Sequence, residues 1–92
     1  MVEEVNKMER REYGETELVY ECINGKEFIY SYELLQKFRS MKMWLIQVYR
    51  DYENSDDEDV YFVNKIYRDE NGNLWLQRTL VNEDVLQIYR IY

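Results

Sequence analysis

Histidine and proline are absent from this 92-residue chain, and cysteine occurs only once, at Cys22. Without histidine, the chain cannot form a histidine metal site or a Ser-His or Cys-His catalytic pair. A lone cysteine excludes a disulfide framework within the chain. No apolar run approaches the ~18 residues that a transmembrane helix needs. These absences favour a small protein that is not an enzyme and that has no cofactor, no bound metal and no membrane segment.

Targeting signals are also lacking at the start of the sequence. Residues 1–4 read Met-Val-Glu-Glu and have neither the basic nor the apolar region of a signal peptide. Together with the unpaired cysteine, this predicts a cytoplasmic protein. A chain of this length forms one domain with a thin core, which oligomerisation would stabilise.

Carboxylates outnumber bases by 19 to 12, and the excess is concentrated in one stretch. Residues 51–59 hold six acidic residues and no base, and four of them are consecutive: Asp56, Asp57, Glu58 and Asp59. Such a run repels phosphate and the bases elsewhere are dispersed, so the composition disfavours nucleic acid as a partner. We expect a solvated acidic loop that offers a contact to a protein with a basic surface.

The first half of the chain predicts a hairpin followed by a helix. Residues 1–15 are polar and are expected to be disordered, which leaves 16–92 as a single domain. The Asn-Gly pair at 24–25 lies between two apolar runs, a pattern typical of a β-hairpin. Ser31 is a suitable helix cap. Apolar residues then recur at helical spacing and predict a helix over 32–41: Leu34, Leu35, Phe38 and Met41.

The second half of the chain predicts strands at 43–52, 59–68 and 74–81, rich in β-branched and aromatic residues. Residues 85–92 fit either a strand or a helix, and the strand is favoured because its neighbour needs a pairing partner. The resulting fold class is α+β, with an N-terminal hairpin, one amphipathic helix and an antiparallel meander of three to four strands. The strands carry apolar residues on both faces, so one short helix leaves a second apolar face for a partner.

Aromatic residues on these strands are the candidates for an interface. The proposed partner-binding residues are Tyr49, Tyr61, Tyr67 and Trp75, together with the acidic run 56–59. A tyrosine-rich surface that is poor in charge is typical of the centre of a protein interface. We therefore expect a homodimer that forms through an aromatic sheet face or a strand edge.

Two alternative functions depend on polar residues near the strand ends. Tyrosine-arginine pairs recur at Tyr49-Arg50, Tyr67-Arg68 and Tyr89-Arg90, and a nucleic-acid-associated protein would use such tyrosines to stack bases. Adjacent strand residues point to opposite faces, which weighs against this function. A metal-dependent nuclease would use Asp51 and Asp69 at two strand ends together with the acidic cluster at 56–59.

The remaining chemistry is weakly supported. The acidic run at 56–59 lacks the glycine of a calcium loop, and the Asp-Glu-Asn-Gly-Asn segment at 69–73 lacks the closing carboxylate. Cys22 lies within a strand, where a cysteine is more often inert than reactive.

Two segments are rich in tyrosine, isoleucine and valine, Leu-Ile-Gln-Val-Tyr-Arg at 45–50 and Ile-Tyr-Arg-Ile-Tyr at 88–92. With the abundant glutamate and arginine, the single cysteine and the short length, they resemble the small orphan proteins of crenarchaeal filamentous and rod-shaped viruses. This resemblance of style implies a virus-encoded homodimer that binds a host or viral protein in the host cytoplasm. It transfers no functional residue.

Overall fold

The computed structural model describes residues 15–52 and 60–92. The described residues form one antiparallel six-stranded sheet and one helix. In chain order the elements are β1 (Thr16–Ile23), β2 (Lys26–Ile29), α1 (Tyr32–Ser40), β3 (Met43–Asp51), β4 (Phe62–Asp69), β5 (Leu74–Leu80) and β6 (Val85–Ile91). Their order across the sheet is β2-β1-β6-β5-β4-β3.

The predicted α+β class is wrong, because the described fold is essentially all-β with one nine-residue helix. β1 and β2 do not form a separate N-terminal unit. β1 pairs with β6 from Thr16 opposite Ile91 to Ile23 opposite Val85, so the first and last described strands are neighbours in one sheet. The sequence pattern of a segment reflects its local preference for strand conformation. It does not specify which distant strand will be the pairing partner.

The ambiguous C-terminal segment is a strand, as favoured from the sequence. β6 lies between β1 and β5 and forms antiparallel ladders with both. A strand at this central position pairs its backbone groups with both neighbouring strands. A surface helix at the same position would leave the facing backbone groups of those neighbours without partners.

The helix α1 begins after Ser31, whose hydroxyl accepts a hydrogen bond of 3.3 Å from the backbone N–H of Leu34. Leu35 is fully buried against the sheet. The face on which α1 packs, here called the helix face, carries the first core cluster: Val19, Tyr20, Leu35, Trp75 and Ile88.

The opposite face of the sheet, here called the far face, carries a second cluster. Ile66, Leu76 and Ile91 are buried there, and Tyr49, Leu74 and Tyr89 pack against them. These three buried side chains are therefore not part of an exposed apolar surface. Exposed apolar side chains occur instead along the two edge strands, β2 and β3.

Candidate interaction surface

The β3 edge is the most exposed apolar feature of the sheet. Four of its side chains, here called the edge strip, are between 44% and 52% exposed: Trp44, Leu45, Ile46 and Val48. β3 pairs with β4 on one side, and no described strand lies on its other side. An edge strand of this kind accepts a strand from another chain.

A β-bulge interrupts the pairing of β3 with β4. Leu45 lies opposite Tyr67 and Gln47 lies opposite Ile66, so Ile46 is the extra residue. The extra residue shifts the alternation of side chains between the two faces. Leu45 and Val48 consequently share the helix face, although they are three positions apart in the sequence.

Cationic side chains flank the edge strip at both ends. The Lys42 ammonium lies 5.3 Å from the centre of the Trp44 ring, and the Arg50 guanidinium lies 5.3 Å from the centre of the Tyr61 ring. The rings of Tyr52 and Tyr61 are 4.8 Å apart. Between Lys42 and Arg50 the sequence has no charged residue. Charged residues beside an apolar edge limit indiscriminate aggregation.

Two of the predicted interface residues belong to the core instead. Trp75 is buried, and its ring centre lies 5.5 Å from that of Phe38 on α1. Tyr67 is half-buried and meets the same phenylalanine edge-to-face at 6.1 Å. Both aromatic residues anchor the helix to the sheet and are not part of the exposed edge strip.

The other predicted interface residues are dispersed. Tyr49 packs on the far-face cluster and lies opposite Asn64, whereas Tyr67 is on the helix face, so the structure does not bring these two tyrosines together. Tyr61 is half-buried beside Tyr52. The acidic run Asp56, Asp57, Glu58 and Asp59 lies outside the described residues.

The two carboxylates of the nuclease alternative are far apart. Asp51 pairs with Phe62 at the start of β4, and Asp69 is at the end of β4. Seven residue steps of about 3.3 Å separate the two ends of that strand. Asp69 is on the helix face with Trp75, whereas Asp51 is on the far face with Arg78. A shared metal site would require them on one face.

Each carboxylate also has its own partners. Asp51 is buried, and its Oδ2 lies 3.3 Å from a guanidinium nitrogen of Arg78. Asp69 accepts hydrogen bonds from the backbone N–H groups of Asn71 and Asn73 and from the indole of Trp75. Burial alone would raise the pKa of Asp69, but these hydrogen bonds outweigh it and hold the pKa below its ordinary value.

The described residues contain no group of three or more histidine, cysteine, aspartate or glutamate side chains arranged to hold a metal ion. Cys22 is half-buried against the core cluster of the helix face. Among the described residues, no helix is long and apolar enough to cross a membrane.

The edge strip was missed by sequence reasoning, although its strand was predicted. The signal was the uncharged run 43–49 between two cations, which is typical of a segment that pairs with other strands. What the run does not reveal is that β3 lies at the edge of the sheet.

Comparisons with known proteins give no guide to function. No protein-family model matches the chain, and no curated protein or solved structure matches it either.

Proposed function

We propose that this protein acts by binding other proteins and that it forms a homodimer through the edge strip of β3. The observation that carries this proposal is the position of four half-exposed apolar side chains on a nine-residue edge strand. Exposed apolar patches mark interaction sites, and edge strands bind partners by adding a strand to the sheet.

The opposite edge is less suited to this role. β2 has only four residues, and two of them are the charged Lys26 and Glu27. The Glu27 carboxylate also lies 4.0 Å from the Arg39 guanidinium of α1. A short edge strand with charges resists pairing with another chain.

The test is the mass in solution. Size-exclusion chromatography with light scattering at micromolar concentration should give about twice 11.5 kDa for the wild type. Val48→Lys should give the monomer mass, because a lysine ammonium in the interface must lose its hydration. Ile29→Lys is the matched control, since it places the same charge on the other edge strand. A monomeric wild type, or equal dissociation by both variants, would contradict the proposal.

A second binding function rests on the acidic run at 56–59 and the net charge of −7. This run would bind a basic protein surface, and the resemblance to viral proteins makes a host or viral protein in the cytoplasm the expected partner. Immobilised polylysine serves as the probe. Changing the four acids to Asn and Gln should weaken retention more than changing four dispersed acids, Glu15, Glu17, Glu33 and Glu70, to Gln. Equal weakening would show that net charge alone is responsible.

The nucleic-acid alternative has less support from the geometry. Arg50 lies opposite Val63 on the helix face, whereas Arg68 lies opposite Leu74 on the far face. Two arginines on opposite faces cannot contact one phosphate backbone together. The Arg50 guanidinium also lies over the ring of Tyr61 and donates a hydrogen bond to the hydroxyl of Tyr52.

A further inference from the structure

We infer that the partner at the edge strip is a second copy of β3, paired antiparallel so that Trp44 lies opposite the partner's Tyr49 and Leu45 lies opposite the partner's Val48. This inference rests on the proposed homodimer and adds its geometry. The two six-stranded sheets would then become one continuous sheet across a two-fold axis.

The unequal edges of the sheet favour β3 with β3 over β3 with β2. Pairing β3 with β2 of the next copy would leave a free edge at each end and would build an open chain. β2 offers only four residues to such a contact, against nine on β3. Pairing β3 of one copy with β3 of a second copy uses the longer edge strand of both and gives a closed dimer.

The bulge restricts how two β3 strands can face each other. Residues directly opposite in a sheet must point to the same face. Before the bulge, Leu45 is on the helix face and Trp44 on the far face. After it, Val48 is on the helix face and Tyr49 on the far face. When two copies pair across their bulges, each residue and the partner residue opposite it therefore point to the same face only if their two residue numbers add to an odd number. This total, here called the sum, is the same for every opposite pair and defines the register.

Side-chain chemistry selects one of these registers. A sum of 93 places an aromatic pair on the far face, Trp44 with the partner's Tyr49, and an aliphatic pair on the helix face, Leu45 with the partner's Val48. A sum of 95 would place Leu45 opposite the partner's Arg50, and a sum of 91 would place Trp44 opposite the partner's Gln47. Aromatic and aliphatic cross-strand pairs stabilise a sheet. Among the residues whose face the pairing with β4 fixes, a sum of 93 forms two such pairs, a sum of 91 forms one, Met43 with the partner's Val48, and a sum of 95 forms none.

The same register also separates the flanking cations. A sum of 92 would place Lys42 directly opposite the partner's Arg50, and like charges facing each other destabilise a strand pair. That sum also violates the matching of faces, because it puts Leu45 opposite the partner's Gln47. With a sum of 93, Arg50 lies opposite the partner's Met43.

Disulfide trapping between two different single-cysteine proteins tests this register. In a Cys22→Ser background, one protein carries Leu45→Cys and the other carries Val48→Cys. Opposite residues of an antiparallel pair have Cα atoms about 4.5–5.5 Å apart, which suits a disulfide. The same residue in the two copies would be about 11 Å apart, which does not. After mild oxidation, the mixture should form a covalent dimer in high yield and each protein alone should form little.

The outcomes separate this inference from the proposed homodimer. A wild type that stays monomeric overturns both. A dimeric wild type whose mixture does not cross-link, or in which a single variant cross-links with itself equally well, overturns the register and leaves the homodimer standing. Masses that grow with concentration beyond the dimer indicate an open chain and overturn the closed arrangement. Mixing Val48→Cys with Ile29→Cys provides the control, since cross-linking of that pair would show contact between β3 and β2.

Discussion

The indole Nε1 of Trp75 donates a hydrogen bond of 2.9 Å to Oδ2 of Asp69. The other carboxylate oxygen, Oδ1, accepts from the backbone N–H of Asn71 at 2.8 Å and of Asn73 at 2.9 Å. One carboxylate thus connects the β4–β5 turn to the buried tryptophan beneath α1. This relationship gives Asp69 a structural role, since its acceptor atoms are already occupied.

Asp69→Asn should lower the free energy of unfolding by about 2–3 kcal/mol, because a buried donor would lose its charged acceptor. The amide oxygen can still accept from the two backbone groups, but the amide nitrogen cannot accept from Trp75. Chemical denaturation followed by tryptophan fluorescence measures the loss. Glu70→Gln, an exposed neighbour in the same turn, should change stability by less than about 0.5 kcal/mol. Equal effects of the two variants would contradict the assigned role.

The stabilising contribution of Asp69 should depend on pH. Its pKa is lowered in the folded protein, so the contribution is fully present above the unfolded pKa of about 3.9 and is lost as the pH falls through the folded value. The stability difference between wild type and Asp69→Asn should therefore be constant from neutral pH to about 5 and should shrink below about 4. Urea denaturation at a series of pH values measures it. A stability difference between the two proteins that grows as the pH falls would contradict a lowered pKa for Asp69.

Leu35→Ala should destabilise the protein by about 2–5 kcal/mol, which is the usual cost of truncating a fully buried leucine. Leu35 is the only residue of α1 that is fully buried, so this variant tests how much the docking of the helix contributes. Gln36→Ala, on the exposed side of the same helix, is the control and should change stability little. A small effect at Leu35 would mean that the sheet is stable without α1.

Asn64→Leu should leave stability unchanged or raise it by about 1 kcal/mol, because a buried polar group without a partner is costly. Asn64 is buried on the far face, and its Nδ2 has no hydrogen-bond partner among the described residues. Asn64→Ala should instead be destabilising, since it leaves a cavity. Thermal unfolding of both variants provides the comparison. A loss of more than about 1 kcal/mol in the leucine variant would show that the amide has a bound partner, such as water.

Nucleic-acid binding should be absent in a gel-shift assay at low salt with single- or double-stranded DNA or RNA. The bases are dispersed and the net charge is −7, so few counterions would be released on binding. A salt-sensitive shift that Arg50→Ala or Arg68→Ala abolishes would overturn this expectation. A shift that survives both substitutions would assign binding to other residues.

Local pattern predicted most of the elements but not the fold class. Ser31 and the apolar stripe from Leu34 to Met41 are local features, and they predict a helix close to the observed α1. Residues 85–91 are a strand as favoured. The predicted fold class was wrong because β1 pairs with β6, which is distant from it in the sequence. Local conformational preference does not predict such a contact.

The candidate surface was predicted only in outline. An interface was expected on an aromatic face or a strand edge. Trp75 and Tyr67 instead pack under α1, and the exposed apolar side chains lie on the β3 edge. Composition cannot separate an aromatic residue that fills a core from one that meets a partner, because both positions favour large apolar side chains.

The sequence by itself determined the cap at Ser31, the alternating strands and the exclusion of histidine and disulfide chemistry, because these depend on residue type and near neighbours. Only the tertiary structure decided that β3 lies at the edge, that its bulge puts Leu45 and Val48 on one face, and that Asp51 and Asp69 lie apart. Strand order and register depend on contacts between residues distant in the chain. The physical reason is that a strand's sequence specifies which side chains alternate, whereas its neighbours are selected by the packing of the whole sheet.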